Sequence, residues 1–449
     1  MQINLPQKVK IVIETLQNAG YEAYAVGGCV RDSLLSRTPM DWDITTSAKP
    51  EQVKALFRRT IDTGIQHGTV TVMMGKEGFE VTTYRIDGAY EDHRHPKEVF
   101  FTNQLVEDLR RRDFTINAMA YSERTGLVDE FHGIEDMKRH IIRAVGEARE
   151  RFSEDALRIL RAFRFGAQLD FTIEEKTRQA AVELVQTLEK ISAERIQVEL
   201  VKLLTSMHPE RVQDLYEANV LQVILPEVHE MFLMQQNNPH HCYSVGEHTV
   251  KALLASTEQG THLDDNQKKV LRIALFLHDT GKVVTKTTDE RGIDHFYGHP
   301  SESEVIAKRI LRALKFDNDT LNKVTKLILL HDYNPKLTFT GVRRSIVKIT
   351  SELMPVFFAL KRSDILGQSD YHRTEKLHYI DEFEKMYEKI IRDGDCISIK
   401  NLAVNGKDLI DAGMKPGKDM GDLLSLMFEH VLEEPSHNTK EYLLSKFMR

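Results

Sequence analysis

Residues 24–47 read YAVGGCVRDSLLSRTPMDWDITTS. An apolar run closes on Gly27-Gly28, an amphipathic stretch opens at Arg31-Asp32, and Asp41 and Asp43 then flank Trp42. The pattern predicts a strand over Glu22–Val26, a helix over Val30–Ser36 and a second strand over Asp41–Thr45. Residues two apart on a strand share a face, which puts Asp41 and Asp43 together and Trp42 opposite. Carboxylates that close repel each other unless a cation lies between them, and Mg²⁺ suits hard oxygen ligands while leaving room for phosphates. The glycine pair would let the backbone approach a triphosphate, with helix N–H groups facing it. Glu80, on a later strand that could lie beside the first, supplies a third carboxylate. Alone, a D-x-D pair is a weak signal, better explained by exposed or capping acids; the glycine turn ahead of it is what points to phosphate.

Around this stretch the chain alternates helix and strand signals. Glu51–Phe57 reads as a helix, and Thr69–Met74 and Phe79–Arg85 as a hairpin across the turn GKEG. From Ser153 the periodicity becomes helical: SEDALRILRAFRFGAQL has Ser153 as a plausible N-cap and Leu157, Leu160 and Phe163 at helical spacing. Asn237–His240 and Thr338–Gly341 read as breaks, and the tail holds the turn-rich GMKPGKDMG. No internal repeat or low-complexity tract is present. The expected fold class is α+β, a small mixed α/β head (1–145) followed by helical segments at 146–230, 231–370 and 371–449.

At 449 residues the chain is too long for one ordinary core, and 41% hydrophobic with 29% charged residues describes a globular protein. No apolar run approaches the roughly 18 residues of a membrane span. The N-terminus reads as an amphipathic helix and lacks the features of a signal peptide. Three scattered cysteines (Cys29, Cys242, Cys396) fit neither a disulfide framework nor a zinc ribbon, and suggest a reducing cytoplasm. The net charge of −7 hides a basic region: Met137–Gly166 has eight Lys/Arg against four Asp/Glu, a local net of +4, with Arg110-Arg111-Arg112 just upstream. Such a concentration is compatible with a polyanionic partner, and equally with solvated helix faces.

The motifs taken in order resemble a known family. GGCVRD…DWDIT is similar to the nucleotidyltransferase signature of class II tRNA nucleotidyltransferases and bacterial poly(A) polymerases. FEVTTYR, RRDFTINAMAY, DEFHGIEDMKRHIIRAVG, SEDALRILRAFRFGAQL and ISAERIQVELVKLL follow in the family's order, covering roughly residues 20–205. The resemblance implies attack of an RNA 3′-hydroxyl on the α-phosphate of a nucleoside triphosphate. Asp41, Asp43 and Glu80 would be catalytic, with Mg²⁺ on Asp41 and Asp43. Gly27, Gly28, Arg31, Arg111, Arg112, Asp113, Asn117, Arg161 and Arg164 would belong to the nucleotide site.

On pattern alone, Glu154 with Arg158 and Asp155 with Arg158 are ordinary helix salt bridges. The resemblance gives them a further role: Asp155 would accept from an exocyclic amine while Arg158 donates to the adjacent ring nitrogen, with Glu154 and Arg195 holding the pair. Cytosine and adenine both present that edge, whereas uracil and guanine reverse it and leave polar groups unpaired. CTP, ATP and tRNA are thereby the implied partners. RIDGAYEDHRHPKEVF resembles the family's flexible loop, with Arg85, Tyr90, Asp92, Arg94 and Pro96 in the family's places. That loop argues for terminal A addition without separating a full CCA enzyme from one adding only the A. Poly(A) polymerase and a catalytically dead RNA-binding protein also stay open, as does the oligomeric state.

A second ordered set, His248, His278-Asp279 and Asp364, resembles the HD metal-dependent phosphohydrolases. These four would bind a second divalent transition metal, with His299 and His331 as further ligands or phosphate contacts; the alternative to a hydrolytic site is a metal-stabilised helical bundle that helps to clamp tRNA. Leu402–Leu424 resembles the family's tRNA-facing tail.

Overall fold

The computed structural model describes residues 2–88, 98–237 and 243–448. Tyr90, Asp92, Arg94, Pro96 and Cys242 therefore lie outside the described residues, as does most of the break expected at Asn237–His240. The chain forms two compact units, Met1–Pro226 and Glu227–Arg449.

In the first unit the strands are β1 (Ala23–Val26), β2 (Ile44–Thr46), β3 (Thr60–Gly64), β4 (Thr69–Met74), β5 (Glu77–Thr83), β6 (Arg85–Asp87), β7 (Val99–Phe101), β8 (Ala120–Ser122) and β9 (Gly126–Val128). Seven of them form one mixed sheet in the order β3-β4-β5-β2-β1-β8-β9. β1 pairs antiparallel with β2 and β8, β2 runs parallel to β5, and β4–β5 is the expected hairpin. β6 and β7 pair apart as a two-stranded ribbon at the base of the expected flexible loop. On β5 Phe79, Val81 and Thr83 are buried while Glu80 is exposed on the other face, the alternation that half-buried strands require. Leu109, Ala118, Ala120, Tyr24, Val26 and Tyr84 close the core beneath β1.

Two local expectations shift. The second strand begins at Ile44, where burial begins, and Asp41 precedes it in irregular chain beside the exposed Met40. The ladder nevertheless reaches Asp43, whose carbonyl accepts the Val26 N–H at 3.0 Å. The helix after the glycines spans Gly28–Leu34 rather than Val30–Ser36. Gly27, at φ +82°, turns the chain so that its carbonyl already accepts from Arg31, and Ser36, at φ +57°, stops it.

Ser153 is not an N-cap. It lies inside a helix, Ala148–Glu154, and the chain breaks at Asp155, in extended conformation, before a second helix, Leu157–Leu169. The Asp155 carboxylate, two residues after Ser153, takes the Leu157 N–H at 3.1 Å where the second helix begins. Helix Ala193–Leu204 packs along Leu157–Leu169, with Leu200, Leu203 and Leu204 buried and Glu199 against Arg164.

The second unit is helical apart from the short strands Thr287–Thr288 and Asp294–His295. Helices Val245–Gln259, Asp265–Leu277, His299–Ala313, Asn318–Leu330 and Met354–Gly367 form its centre. Capping boxes at Ser244/Glu247 and Asp264/Gln267 start the first two. Thr338 caps helix Phe339–Ile349 by accepting the Gly341 N–H, so Thr338–Gly341 opens a helix; the interruption lies upstream, after His331. A tail core of Val404, Leu409, Met427, Val431 and Leu443 is fastened by Arg343, which donates to Asp395 at 2.6 Å and to the Leu432 carbonyl at 3.0 Å. Among the described residues no helix is long and apolar enough to cross a membrane.

Gly281 decides one close approach: a Cβ there would lie 2.5 Å from both the His299 carbonyl oxygen and the Ser303 nitrogen. Gly281→Ala should therefore push helix His299–Ala313 away and destabilise the protein by about 1–3 kcal/mol, read as a fall in the urea midpoint; an unchanged midpoint would show that this packing carries no load.

Candidate active site

β2 and β5 bring the head acids together. Ile44 pairs with Val81, so Asp43 and Glu80, one step earlier on each strand, lie side by side. Asp43 is exposed at the surface, yet crowding by surrounding protein and then the neighbouring Asp41 raise its carboxyl above the ordinary range; Glu80 adds to this and Arg112 opposes it. A carboxylate held up by other carboxylates is a site that a cation would relieve. Among the described residues, the groups of three ligand side chains whose atoms close within 4.8 Å all lie in the second unit. The head acids thus form an open set, as suits an ion whose remaining ligands are substrate phosphates and water.

The cationic side of the site is built on one buried acid. Asp108, with no exposed surface, accepts from Arg111 Nε at 3.0 Å and Nη2 at 2.7 Å and from the Thr45 hydroxyl at 3.0 Å, with Arg112 Nη2 at 3.6 Å. Burial would raise its carboxyl, but Arg111 and then Arg112 outweigh burial and hold it below the usual range. The Arg112 guanidinium passes over Gly27, where a Cβ would stand 2.8 Å from Nη1, and its Nε is buried without an acceptor. A cation with an unfilled buried donor above a glycine turn is suited to an anion.

Behind these lies a second layer. Arg31 donates to Asn117 at 2.6 Å, Asn117 to Asp113 at 3.1 Å, and Arg161 to Asp113 at 2.8 Å. Buried Asp113 is held low: burial opposes, but Arg161 and Asn117 prevail. Arg164 is committed to Glu199 at 2.6 Å and Gln168 at 2.9 Å, and burial lowers it to about 10. The guanidiniums of Arg31, Arg161 and Arg164 surround the Phe165 ring at 4.9, 5.3 and 3.7 Å.

The expected base-reading residues sit at the break between the two helices, not on one helical surface. Arg158 donates to Glu154 at 2.7 Å, and Arg195 donates to Asp155 at 2.7 Å; the Asp155 and Arg158 side chains form no ion pair, although the Arg158 N–H donates to the Asp155 carbonyl at 3.0 Å. Each is thus held by the neighbour assigned to hold it. Arg85, the described member of the loop set, donates to the His67 carbonyl at 2.6 Å. Asp108, Glu199 and Arg151 escaped the sequence reading. Asp108 had a signal, standing three and four residues before Arg111 and Arg112; nothing in the sequence marks Glu199 as buried.

In the second unit all six expected residues converge, every one at most 7% exposed. His248 Nε2 lies 3.2 Å from His278 Nε2 and 3.0 Å from Asp364 Oδ1, and His299 Nε2 lies 3.0 Å from His331 Nε2. Asp279 sits between the two groups: Oδ2 is 3.5 Å from His248 and 3.4 Å from His278, and Oδ1 is 3.3 Å from His299. Burial opposes charge on His278, but Asp279 and Asp364 push its pKa up to about 9, whereas burial takes His331 down to about 4. A cavity of about 900 Å³ opens on the cluster, lined also by Lys282, Lys361 and Lys376.

Three family models match in sequence order. They are a poly A polymerase head domain over residues 23–143, a probable RNA and SrmB-binding site of polymerase A over 170–232, and a putative tRNA nucleotidyltransferase domain 2 over 286–447. With the mixed sheet, acid cluster and helical body, they define a nucleotidyltransferase of the polymerase A and tRNA-processing class. The CCA-adding enzymes of Lactobacillus helveticus and Enterococcus faecalis are 36% and 34% identical to it, each over 97% of this chain and 94% and 93% of their own. The chain belongs to the CCA-adding enzymes. A Bacillus stearothermophilus CCA-adding enzyme solved with CTP shares the architecture at a TM-score of 0.69 and 27% identity, covering 98% of this chain and 97% of that one. A Thermotoga maritima CCA-adding enzyme solved with tRNA has the same fold at a TM-score of 0.60 and 20% identity, over 99% and 100% of the two chains.

Asp108→Asn removes the charge that Arg111 and Arg112 surround and should cost about 3–5 kcal/mol at pH 7. Because the native carboxyl titrates below its unfolded value, this stabilisation is complete above about pH 4 and is lost as pH falls through the native pKa. Urea midpoints of the two proteins should therefore converge in acid; a gap independent of pH would assign the loss to packing.

Proposed function

We propose that the head adds C, C and A to the 3′ end of tRNA in the cytoplasm, taking CTP and ATP and releasing pyrophosphate. The observation that carries the reading is the juxtaposition of Asp41, Asp43 and Glu80 with the Arg112 guanidinium across Gly27. The donor set is all carboxylate and open, which fits Mg²⁺ on Asp41 and Asp43; when bound, the ions lower the charge barrier to attack on the α-phosphate. Gly27 and Gly28 leave the triphosphate room beside the backbone. Arg111 and Arg112, aimed by Asp108, hold its oxygens, and the Asp113–Asn117–Arg31 chain fixes the floor for the ribose. Asp155 and Arg158 offer an acceptor beside a donor, which matches the edge shared by cytosine and adenine. The tRNA nucleotidyltransferase domain beyond residue 286 favours tRNA over poly(A) synthesis.

Asp41→Ala and Asp43→Ala should each abolish incorporation while leaving tRNA affinity within about twofold, since neither removes a cation that would meet the RNA backbone. The decisive assay incubates tRNAs ending at the discriminator base, at C and at CC with all four nucleotides. All three should finish as CCA and stop. Extension of the CC-ended tRNA alone would make this an A-adding enzyme, and long A tails a poly(A) polymerase.

For the second unit we propose a divalent transition-metal site of the HD phosphohydrolase type, held by His248, His278, Asp279 and Asp364, with His299 and His331 completing a second position that shares Asp279. The fit rests on buried Asp279, whose Oδ1 faces His299 Nε2 at 3.3 Å and whose Oδ2 faces His278 Nε2 at 3.4 Å, with the Lys282 ammonium at 2.7 Å from Oδ2 as the cation that a metal would join or displace. Nδ1 of His278, His299 and His331 lies 2.7, 2.9 and 2.6 Å from the carbonyls of Leu275, Phe296 and Ile328, which leaves each Nε2 lone pair for a ligand. Asp279 and Asp364 favour a proton on the His278 ring, so a metal there competes with that proton. Titration of the full-length protein with Mn²⁺ or Ni²⁺ in buffers of differing ionisation heat should show binding with proton release, and His278→Ala should lose the binding; absence of binding by the intact protein would refute the assignment.

A further inference from the structure

We propose that Arg151 is a positioning residue that ties the choice of base to the placement of the triphosphate. The inference rests on the reading that Arg158 faces the base and that Arg111 and Arg112 face the phosphates. Helix Leu105–Arg110 ends just before the triphosphate arginines, and its last carbonyls have no partner within the helix. Two guanidiniums arriving from the helix break take them up: Arg151 Nη1 donates to the Arg110 carbonyl at 3.1 Å and Arg158 Nη2 to the Arg111 carbonyl at 2.9 Å. Glu154 joins the two, with Oε1 on Arg151 at 2.6 Å and Oε2 on Arg158 at 2.7 Å. Arg158 also donates to the Arg151 carbonyl at 3.2 Å.

The result is a closed frame of Arg151, Glu154, Arg158 and the Arg110–Arg111 peptide. Arg158 spends three of its five N–H groups inside it, leaving two for a base. Arg151 turns Nη2 to Glu154 and Nη1 to the Arg110 carbonyl, with Nε buried, so it is placed to act through Arg158. Its pairing with Glu154 alone would be an ordinary contact within one helix turn. The bond to Arg110, 41 residues away, instead makes the frame span the phosphate-holding and base-holding segments. A donor and acceptor pair rejects the wrong base only if its position relative to the phosphates is fixed, because a base edge is defined from where the triphosphate is anchored. Without Arg151, Glu154 and the Arg110 carbonyl each lose the guanidinium that links them, and both segments gain freedom to accommodate U and G.

The test uses full-length Arg151→Ala and Arg151→Lys, assayed for kcat and KM with CTP, ATP, UTP and GTP on tRNA ending at the discriminator base and at CC. Arg151→Ala should lower the preference of kcat/KM for C and A over U and G by about tenfold or more and raise KM for CTP and ATP. Arg151→Lys should recover only part, because one ammonium cannot match the planar guanidinium fork on both partners. A uniform fall in kcat with unchanged base preference would overturn the proposal, as it would mark Arg151 as merely structural. Should Arg151→Ala fail to fold, Arg151→Lys combined with Arg158→Lys decides: additive effects on base preference overturn the coupling, and non-additive effects support it. Arg158→Ala separates the two levels. Unchanged preference there refutes the base-reading assignment itself, whereas loss in Arg158→Ala without loss in Arg151→Ala refutes only the frame.

Discussion

A carboxylate removed from water must be accompanied by cations, and in the head that requirement falls on Asp108. Its position gives the requirement reach. Through the Thr45 hydroxyl it touches β2 two residues beyond Asp43, and through Arg111 and Arg112 it touches the segment that faces the glycine turn. One buried charge therefore sets the distance between the acids and the guanidiniums. Neither group could be placed by its own strand or helix: Asp41 precedes β2, and Arg111 and Arg112 follow the last residue of a short helix. Positions at element ends are poorly constrained locally, so a shared ionic partner does what secondary structure does not.

The same solution recurs one layer deeper. Asp113 and Glu199 are both buried, and between them they engage Arg161 and Arg164, while Asn117 passes the link from Asp113 to Arg31. Stacking of these cations about Phe165 lets apolar surface share the load, since a guanidinium is weakly hydrated and tolerates an aromatic face. The break at Asp155 belongs to this arrangement. A continuous helix would have turned Asp155 and Arg158 toward each other, satisfying both; interrupted, the chain gives Asp155 to Arg195 and Arg158 to Glu154, and each retains capacity for a third partner.

What the sequence disclosed follows from what it encodes locally. The glycine turn, the acid pair, the β4–β5 hairpin and the order of His and Asp residues in the second unit were legible because each depends on neighbours in the chain. The parallel pairing that sets Glu80 beside Asp43 was reachable only as a possibility, since register between distant strands has no local signature. The break at Asp155 was missed because Ser153 is a good N-cap by type, and nothing nearby shows that a tertiary partner, Arg195, competes for the turn. Thr338–Gly341 misled in the mirror sense: Thr and Gly mark helix starts as readily as breaks.

The two units place their acids under opposite regimes. In the second, His278 and His331 close helices at their C-termini, where backbone carbonyls lack helical partners and can take up imidazole Nδ1–H groups, and His299, opening another helix, gives its Nδ1–H to the Phe296 carbonyl of the preceding turn. Orientation is therefore built into the backbone, and the ligand atoms converge without any substrate. In the head the acids stay exposed and unclosed, and the nearest cation, Arg112, keeps an unfilled donor. A closed set can be selective for its ion; an open one depends on what the nucleotide brings. For transfer to a growing end this matters physically, because a site that needs the triphosphate to complete its ligand set would lose that set when pyrophosphate leaves and be rebuilt by the next nucleotide.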